Sequence, residues 1–172
     1  MSFVFVDESI RSSGYIMCAV ALDSRVLSQA RSRLRTLARG NTGRIHMSEC
    51  SKQQRREILR GIQNLDFSAS IYLGLPKYRN KFERPRDRCL RSIFEDFSND
   101  AQIIIESGSV DKQDYELIRK VVGEGKKFPY VEHLAPHLEP LLWLPDIIAW
   151  SYGRDSEWKS AVLQKIEKVV KV

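Results

Sequence analysis

Four carboxylates stand out by position. Asp7 and Glu106 each end a run of apolar, strand-favouring residues, Phe3-Val4-Phe5-Val6 and Ile103-Ile104-Ile105. Glu49 stands at the head of a predicted helix, and Asp146 is the only charge between Leu141 and Tyr152. A carboxylate at the end of a central strand is fixed by the strand, while the sheet edge beside it stays open to substrate. A carboxylate among Leu141, Leu142, Trp143, Leu144, Ile147, Ile148 and Trp150 is costly to bury without a partner or a metal. Mg²⁺ and Mn²⁺ prefer oxygen ligands, so clustered carboxylates are the expected site for either. Two such ions can activate a water and stabilise the leaving oxygen of a phosphodiester. Each residue also has a structural reading. Asp7 and Glu8 could form an acidic turn, and Glu106 a strand-end turn. Glu49 is favourable at a helix N-terminus, and Asp146 could cap a helix that starts after Pro145.

The elements that must position these groups are legible from periodicity. Phe3 to Val6 reads as a buried strand, Ile10 to Gly14 as a turn, and Tyr15 to Leu22 as a second strand antiparallel to the first. Asp23 or Ser24 caps a predicted helix through Ala38, with Val26, Leu27, Ala30, Leu34 and Leu37 inward and arginines on the other face. Arg44 to Met47 reads as a short strand, followed by a helix with Ile58, Leu59 and Ile62 inward. Asp66 to Leu75 alternates as a third strand. Pro85 suits the first turn of a helix whose apolar face is Cys89, Leu90, Ile93, Phe94 and Phe97. Ala101 to Gly108 is another strand, and Asp111 caps a helix with Tyr115, Ile118, Val121 and Val122 inward. Phe128 to His133 reads as an edge strand, and an amphipathic helix from Asp155 closes the chain.

The chain has 172 residues and a net charge of +6, with 42% hydrophobic and 29% charged residues, which are globular values. The charge is unevenly spread. Residues 1–91 hold 18 Lys and Arg against 8 Asp and Glu, and residues 92–172 hold 10 against 14. Such asymmetry points to a polyanionic partner, most often nucleic acid. The most basic segment, Lys77 to Arg91, interleaves Tyr78 and Phe82 with cations. Its Arg79, Lys81, Arg84, Arg86 and Arg88 are candidate phosphate contacts, because the planar guanidinium donates two hydrogen bonds at once. No apolar run is long enough to span a bilayer, and no signal peptide is evident. Cys18, Cys50 and Cys89 are far apart and read as free thiols, which suits a cytoplasmic protein. His133 and His137 have the spacing of a zinc pair on a helix, but Pro136 between them argues against that helix.

These stretches resemble an uncharacterised RNase H-like family of bacteria and phages. Its members begin with a strand and Asp-Glu-Ser-Gly, carry His-x-x-Glu before a helix, and place an acidic residue after a central strand. Near the C-terminus they carry Leu-Leu-Gln-Leu-Ala-Asp-Leu-(Ile/Val)-Ala. The matching stretches are Asp7-Glu8-Ser9-Ile10, His46-Met47-Ser48-Glu49, Ile105-Glu106-Ser107 and Leu141-Leu142-Trp143-Leu144-Pro145-Asp146-Ile147-Ile148-Ala149. The last is the most specific, and together they cover nearly the whole chain. Ile10 stands where the family has glycine, and Pro145 where it has alanine.

The resemblance implies a single RNase H-like α/β domain over residues 1–172, a central mixed sheet flanked by helices. It implies a two-metal nuclease site of Asp7, Glu49, Glu106 and Asp146 holding Mg²⁺ or Mn²⁺, with Asp7 between the ions. Glu8 is adjacent to it, and His46 orients a phosphate, a water or a carboxylate. The expected partner is DNA or RNA. The departures at Ile10 and Pro145 leave open a binding module without chemistry on the same scaffold, for example in a defence or toxin–antitoxin system. The Trp-bearing stretch Leu141 to Tyr152 is also a candidate homodimer face.

Overall fold

The computed structural model describes the chain except residues 1, 12–13, 40–42, 76–82, 98–100, 124, 126–127 and 155–156. A six-stranded sheet organises it, in the order β5-β4-β1-β2-β3-β6. The strands are β1 (Ser2–Arg11), β2 (Gly14–Asp23), β3 (Ser68–Gly74), β4 (Ala101–Glu106), β5 (Tyr130–Leu134) and β6 (Ile166–Lys171). β2 runs antiparallel to both β1 and β3, while β4 lies parallel to β1, β5 to β4 and β6 to β3. The sheet is therefore mixed, with parallel and antiparallel pairs.

Period-two alternation sorts the strand residues onto two buried faces. Phe5, Cys18, Val20, Ile71 and Ile104 face one core. Helices α1 (Leu27–Ala38), α2 (Lys52–Ile62) and α5 (Trp143–Tyr152) cover that face. Val4, Val6, Met17, Tyr72, Ile103 and Ile105 face the other core, under α3 (Pro85–Asp96) and α4 (Asp111–Gly123). Layers on both sides explain why the central strands β1, β2 and β4 read as unbroken apolar runs.

Several expectations from the sequence need correction. β1 continues through Asp7 to Arg11 and pairs with β2 up to Gly14, so Ile10 belongs to the strand and is 74% exposed. Arg44 to Met47 is not a strand; Met47 lies in a turn before α2, whose capping box joins Ser51 and Gln54. In α4 the inward residues include Asp114 and Leu117, while Tyr115 and Val122 are exposed. The C-terminal helix is a short α6 (Glu157–Ser160), after which the chain becomes β6. A spacing of Ile166, Val169 and Val170 satisfies a helix as readily as an edge strand, and pairing with the open side of β3 decides between them. Finally, Leu141 to Trp150 is core, packed across β1 and β2, and is not available as a dimer face. Among the described residues, no helix is long and apolar enough to cross a membrane.

Candidate active site

The parallel ladder between β1 and β4 ends at Val6 and Ile105, and the next residues are Asp7 and Glu106. By alternation both carboxylates take the face of Phe5 and Ile104, under α5. The first turn of α5 delivers Asp146 to the same place. Pro145 is compatible with this because α5 starts earlier, at Trp143, so its missing N–H falls within the first turn, where no intrahelical bond is needed. Asp146 does not cap its own helix. Its Oδ2 accepts a hydrogen bond from the Met47 backbone N–H at 2.8 Å and lies 3.5 Å from His46 Nδ1. The Asp146 carboxylate thus fastens the His46 turn onto α5.

The electrostatics follow from this crowding. Burial raises Asp7 well above the usual carboxylate range, and the like charges of Glu106 and Asp146 raise it further. The Glu8 N–H, which donates to Asp7 Oδ1 at 2.7 Å, opposes them. Burial also raises Glu106; Arg44, 3.4 Å away, pulls it down, and Asp146 pushes it up. His46 is raised, chiefly by its contact with Asp146. Gly43 adopts φ +82, a conformation that costs a residue without Cβ little, and leads the chain into Arg44. Among the described residues, Asp7 has no cation as partner.

Asp7, Glu106, Asp146 and His46 are therefore brought together. Glu49 is exposed in the turn before α2 rather than in the helix, and its charge reaches His46. Among the described residues, no three His, Cys, Asp or Glu side chains converge closely enough to form a ready ligand set. The donor chemistry nevertheless suits a hard divalent cation. It is all carboxylate oxygen, and the repulsion that raises Asp7 is what such a cation relieves.

The described arginines of the basic segment are engaged within the protein. Arg79 and Lys81 lie outside the described residues. Arg86 is 6% exposed and is not presented to a polyanion; it forms a bidentate pair with Asp114 at 2.9 and 2.7 Å and also contacts Glu8 and Tyr15. Burial opposes ionisation of Asp114, but Arg86 and His133 hold it below the usual carboxylate range. His133 completes this chain at 3.1 Å from Asp114, from within β5, which also removes the helical zinc pair with His137. Arg88 folds back onto the carbonyls of Glu83 and Leu75, and exposed Arg84 is engaged by Asp87 and Gln113. All three belong to the α3 side, across the sheet from Asp7.

Sequence reasoning missed Arg44 and the Met47 N–H, neither of which has a periodic signature. It also missed the buried Arg86–Asp114 pair. Its signal was an acidic residue, Asp114, at an inward helical position among Leu117 and Val121.

No family model and no curated protein sequence matches the chain. Solved structures do. Ribonuclease H2 from Pyrococcus horikoshii OT3 is similar at 17% identity and a TM-score of 0.53, over 87% of this chain and 71% of that one. RNase HII of Archaeoglobus fulgidus, solved in complex with PCNA, is similar at 18% and 0.54, with the same coverage. Bst-RNase HIII in complex with Mn²⁺ is similar at 11% and 0.53, and there the chain spans 51% of its neighbour. At such identities the likeness is one of fold, and the fold is RNase H-like.

Proposed function

We propose that this chain is a divalent-metal-dependent nuclease that hydrolyses phosphodiester bonds in DNA or RNA. The observation that supports this most is the convergence of Asp7, Glu106 and Asp146 on one face where the β1/β4 ladder ends, with Asp7 forced up by burial and like charge. Asp7, Glu106 and Asp146 would hold the cation, and Glu49 would complete the set from its turn. A Mg²⁺ or Mn²⁺ ion held there supplies Lewis-acid activation of water and neutralises charge on the phosphate. His46, tethered to Asp146, would orient a phosphate oxygen or the attacking water. Arg44 would pair with the scissile phosphate as readily as with Glu106. The Mn²⁺ bound by Bst-RNase HIII supports the choice of ion.

A binding module without chemistry is the competing reading. It is favoured by the absence of a ready ligand set among the described residues and by the engagement of Asp146 with Met47 and Glu106 with Arg44. Calorimetric titration with Mn²⁺, with and without a short oligonucleotide, separates them when paired with cleavage of labelled DNA, RNA and hybrid. Mn²⁺ binding and cleavage that both vanish in Asp7→Asn support the nuclease. Cleavage unchanged in Asp7→Asn removes the assignment.

A further inference from the structure

We propose that the α1/α2 side of the molecule binds single-stranded nucleic acid, with one unpaired base seated against Trp158. This rests on the proposed action at phosphodiester bonds but adds which strand state is held and where.

The first observation is how the fold sorts charge. Helices α1 and α2 carry seven Lys and Arg against the single acid Glu57. Helices α3 and α4 carry six against six. The helical excess of positive charge therefore lies on the side of the sheet that holds Asp7, Glu106 and Asp146. Of the seven, Arg31 is bound to Glu139, and Arg33 and Arg55 to backbone carbonyls, which leaves Lys52, Arg56 and Arg60 as the cations beside α6. On the other side of the sheet Arg84, Arg86 and Arg88 are bound internally.

The second observation is a groove of about 240 Å³ between α2 and α6, lined by Arg56, Leu59, Arg60, Glu157, Trp158 and Ala161. Trp143 and Trp150 are 3% and 5% exposed, whereas Trp158 is only half-buried. Its ring is fixed edge-on against Trp150, with centroids 5.8 Å apart. Among the described residues, Arg60 has no acidic partner. Arg56 and Lys52 meet Glu157 at 3.1 and 3.6 Å in exposed pairs that open at little cost. A fixed aromatic wall beside cations takes a planar base whose phosphate is neutralised at the rim. The interior of a duplex cannot use it, because its paired bases are stacked on both faces and only the end pairs leave a face free. Helix α2 connects the two regions: it starts just after the His46–Glu49 turn, and Arg60 lies about 13 Å along it from Ser51.

The test is titration of the whole chain, in EDTA so that no cleavage occurs, with a short oligo(dT), an oligo(rU) and a blunt duplex of equal length. Intrinsic tryptophan fluorescence and anisotropy of a labelled strand are read together. The expected result is quenching by the single strands and weaker binding of the duplex. Trp158→Leu then weakens single-strand binding about tenfold and removes the quench, while Trp158→Tyr retains binding because stacking is kept. Glu157→Gln tightens binding by freeing Arg56 and Lys52, more than the charge-matched control Glu167→Gln on β6. Duplex bound as tightly as single strand, no binding of either, or unchanged affinity in a folded Trp158→Leu would each overturn the proposal. Duplex-only binding together with Mn²⁺-dependent cleavage would overturn it and leave the nuclease reading standing. Selective single-strand binding without cleavage would do the reverse.

Discussion

Asp7 and Glu106 each stand one residue beyond Val6 and Ile105, the last pair of the parallel β1/β4 ladder. While the ladder lasts, the alternating positions on that face hold Phe5 and Ile104 in the core. Where it stops, the same geometry presents two carboxylates side by side with Asp146 overhead. Apolar periodicity and acidic clustering are thus one pattern carried a step past the edge of the core.

That crowding should be measurable as instability. Asp7 has its folded-state pKa raised above the ordinary value of 3.8, so the folded chain binds more protons than the unfolded chain above that pH. Stability therefore falls as pH rises from 3.8 through the raised folded-state pKa, and the penalty is complete only above it. Asp7→Asn removes the charge and keeps an oxygen to accept from the Glu8 N–H. It should raise the melting temperature at pH 7.5 in EDTA by a few degrees, about 1 kcal/mol for a domain of this size. The gain should vanish as the pH is lowered towards 3.8. Thermal melts across pH check it; an Asn variant less stable at every pH would show that Asp7 is held by favourable partners instead.

Arg44 is the positive charge closest to Glu106, at 3.4 Å, and it competes with any cation for that carboxylate. Arg44→Ala should therefore tighten Mn²⁺ binding several-fold in calorimetry, with the gap between variant and native chain narrowing as salt is raised. Loss of Mn²⁺ affinity in this variant would place Arg44 on the side of the ion rather than against it.

Much of the fold was legible because buried strands and capped helices carry short-range signals: the Phe3–Val6 run, Pro85 at a helix start, Ser51 ahead of α2. Three of the four candidate carboxylates could be found the same way, since each breaks an apolar pattern. What could not be read was tertiary choice. Arg86 and Arg84 look alike in sequence, yet Arg84 stays exposed, and the presence of Asp114 and Glu8 beneath α3 draws Arg86 into the core. Glu49 looked like a helix residue until Ser51 took the cap.

The Arg86–Asp114–His133 chain predicts a separation of stability from binding. Asp114 is fully buried and Arg86 nearly so, and removing one member leaves the other charge without compensation. Arg86→Ala should cost about 3–5 kcal/mol of unfolding free energy by urea denaturation. Arg84→Ala, which alters an exposed pair, should cost under about 1 kcal/mol. The Asp114 pKa is lowered, so its contribution is present above pH 3.8 and is lost as pH falls below it. Arg86→Ala that unfolds at native denaturant concentrations would show the guanidinium to be surplus to the core.

The last strand gives the most direct test of the topology. β6 lies parallel to β3 and is tied to it beyond the ladder by Val172 N–H to the Leu73 carbonyl at 2.9 Å and Leu75 N–H to the Val172 carbonyl at 3.1 Å. Lys168 reaches Asp96 at 2.6 Å, which also accepts from the buried Tyr72 hydroxyl at 2.6 Å, so the strand is linked to α3 as well. Removing residues 166–172 would bare the edge of β3, whose Ala69, Ile71 and Tyr72 are core residues, and an uncovered apolar edge is a template for pairing between chains. The truncated chain should lose monomer on size exclusion and aggregate on warming. Val170→Pro, which removes one backbone donor and the paired conformation, should do the same more mildly. If the region were a surface helix, as its apolar spacing first suggests, truncation would leave the sheet intact and the monomer unchanged.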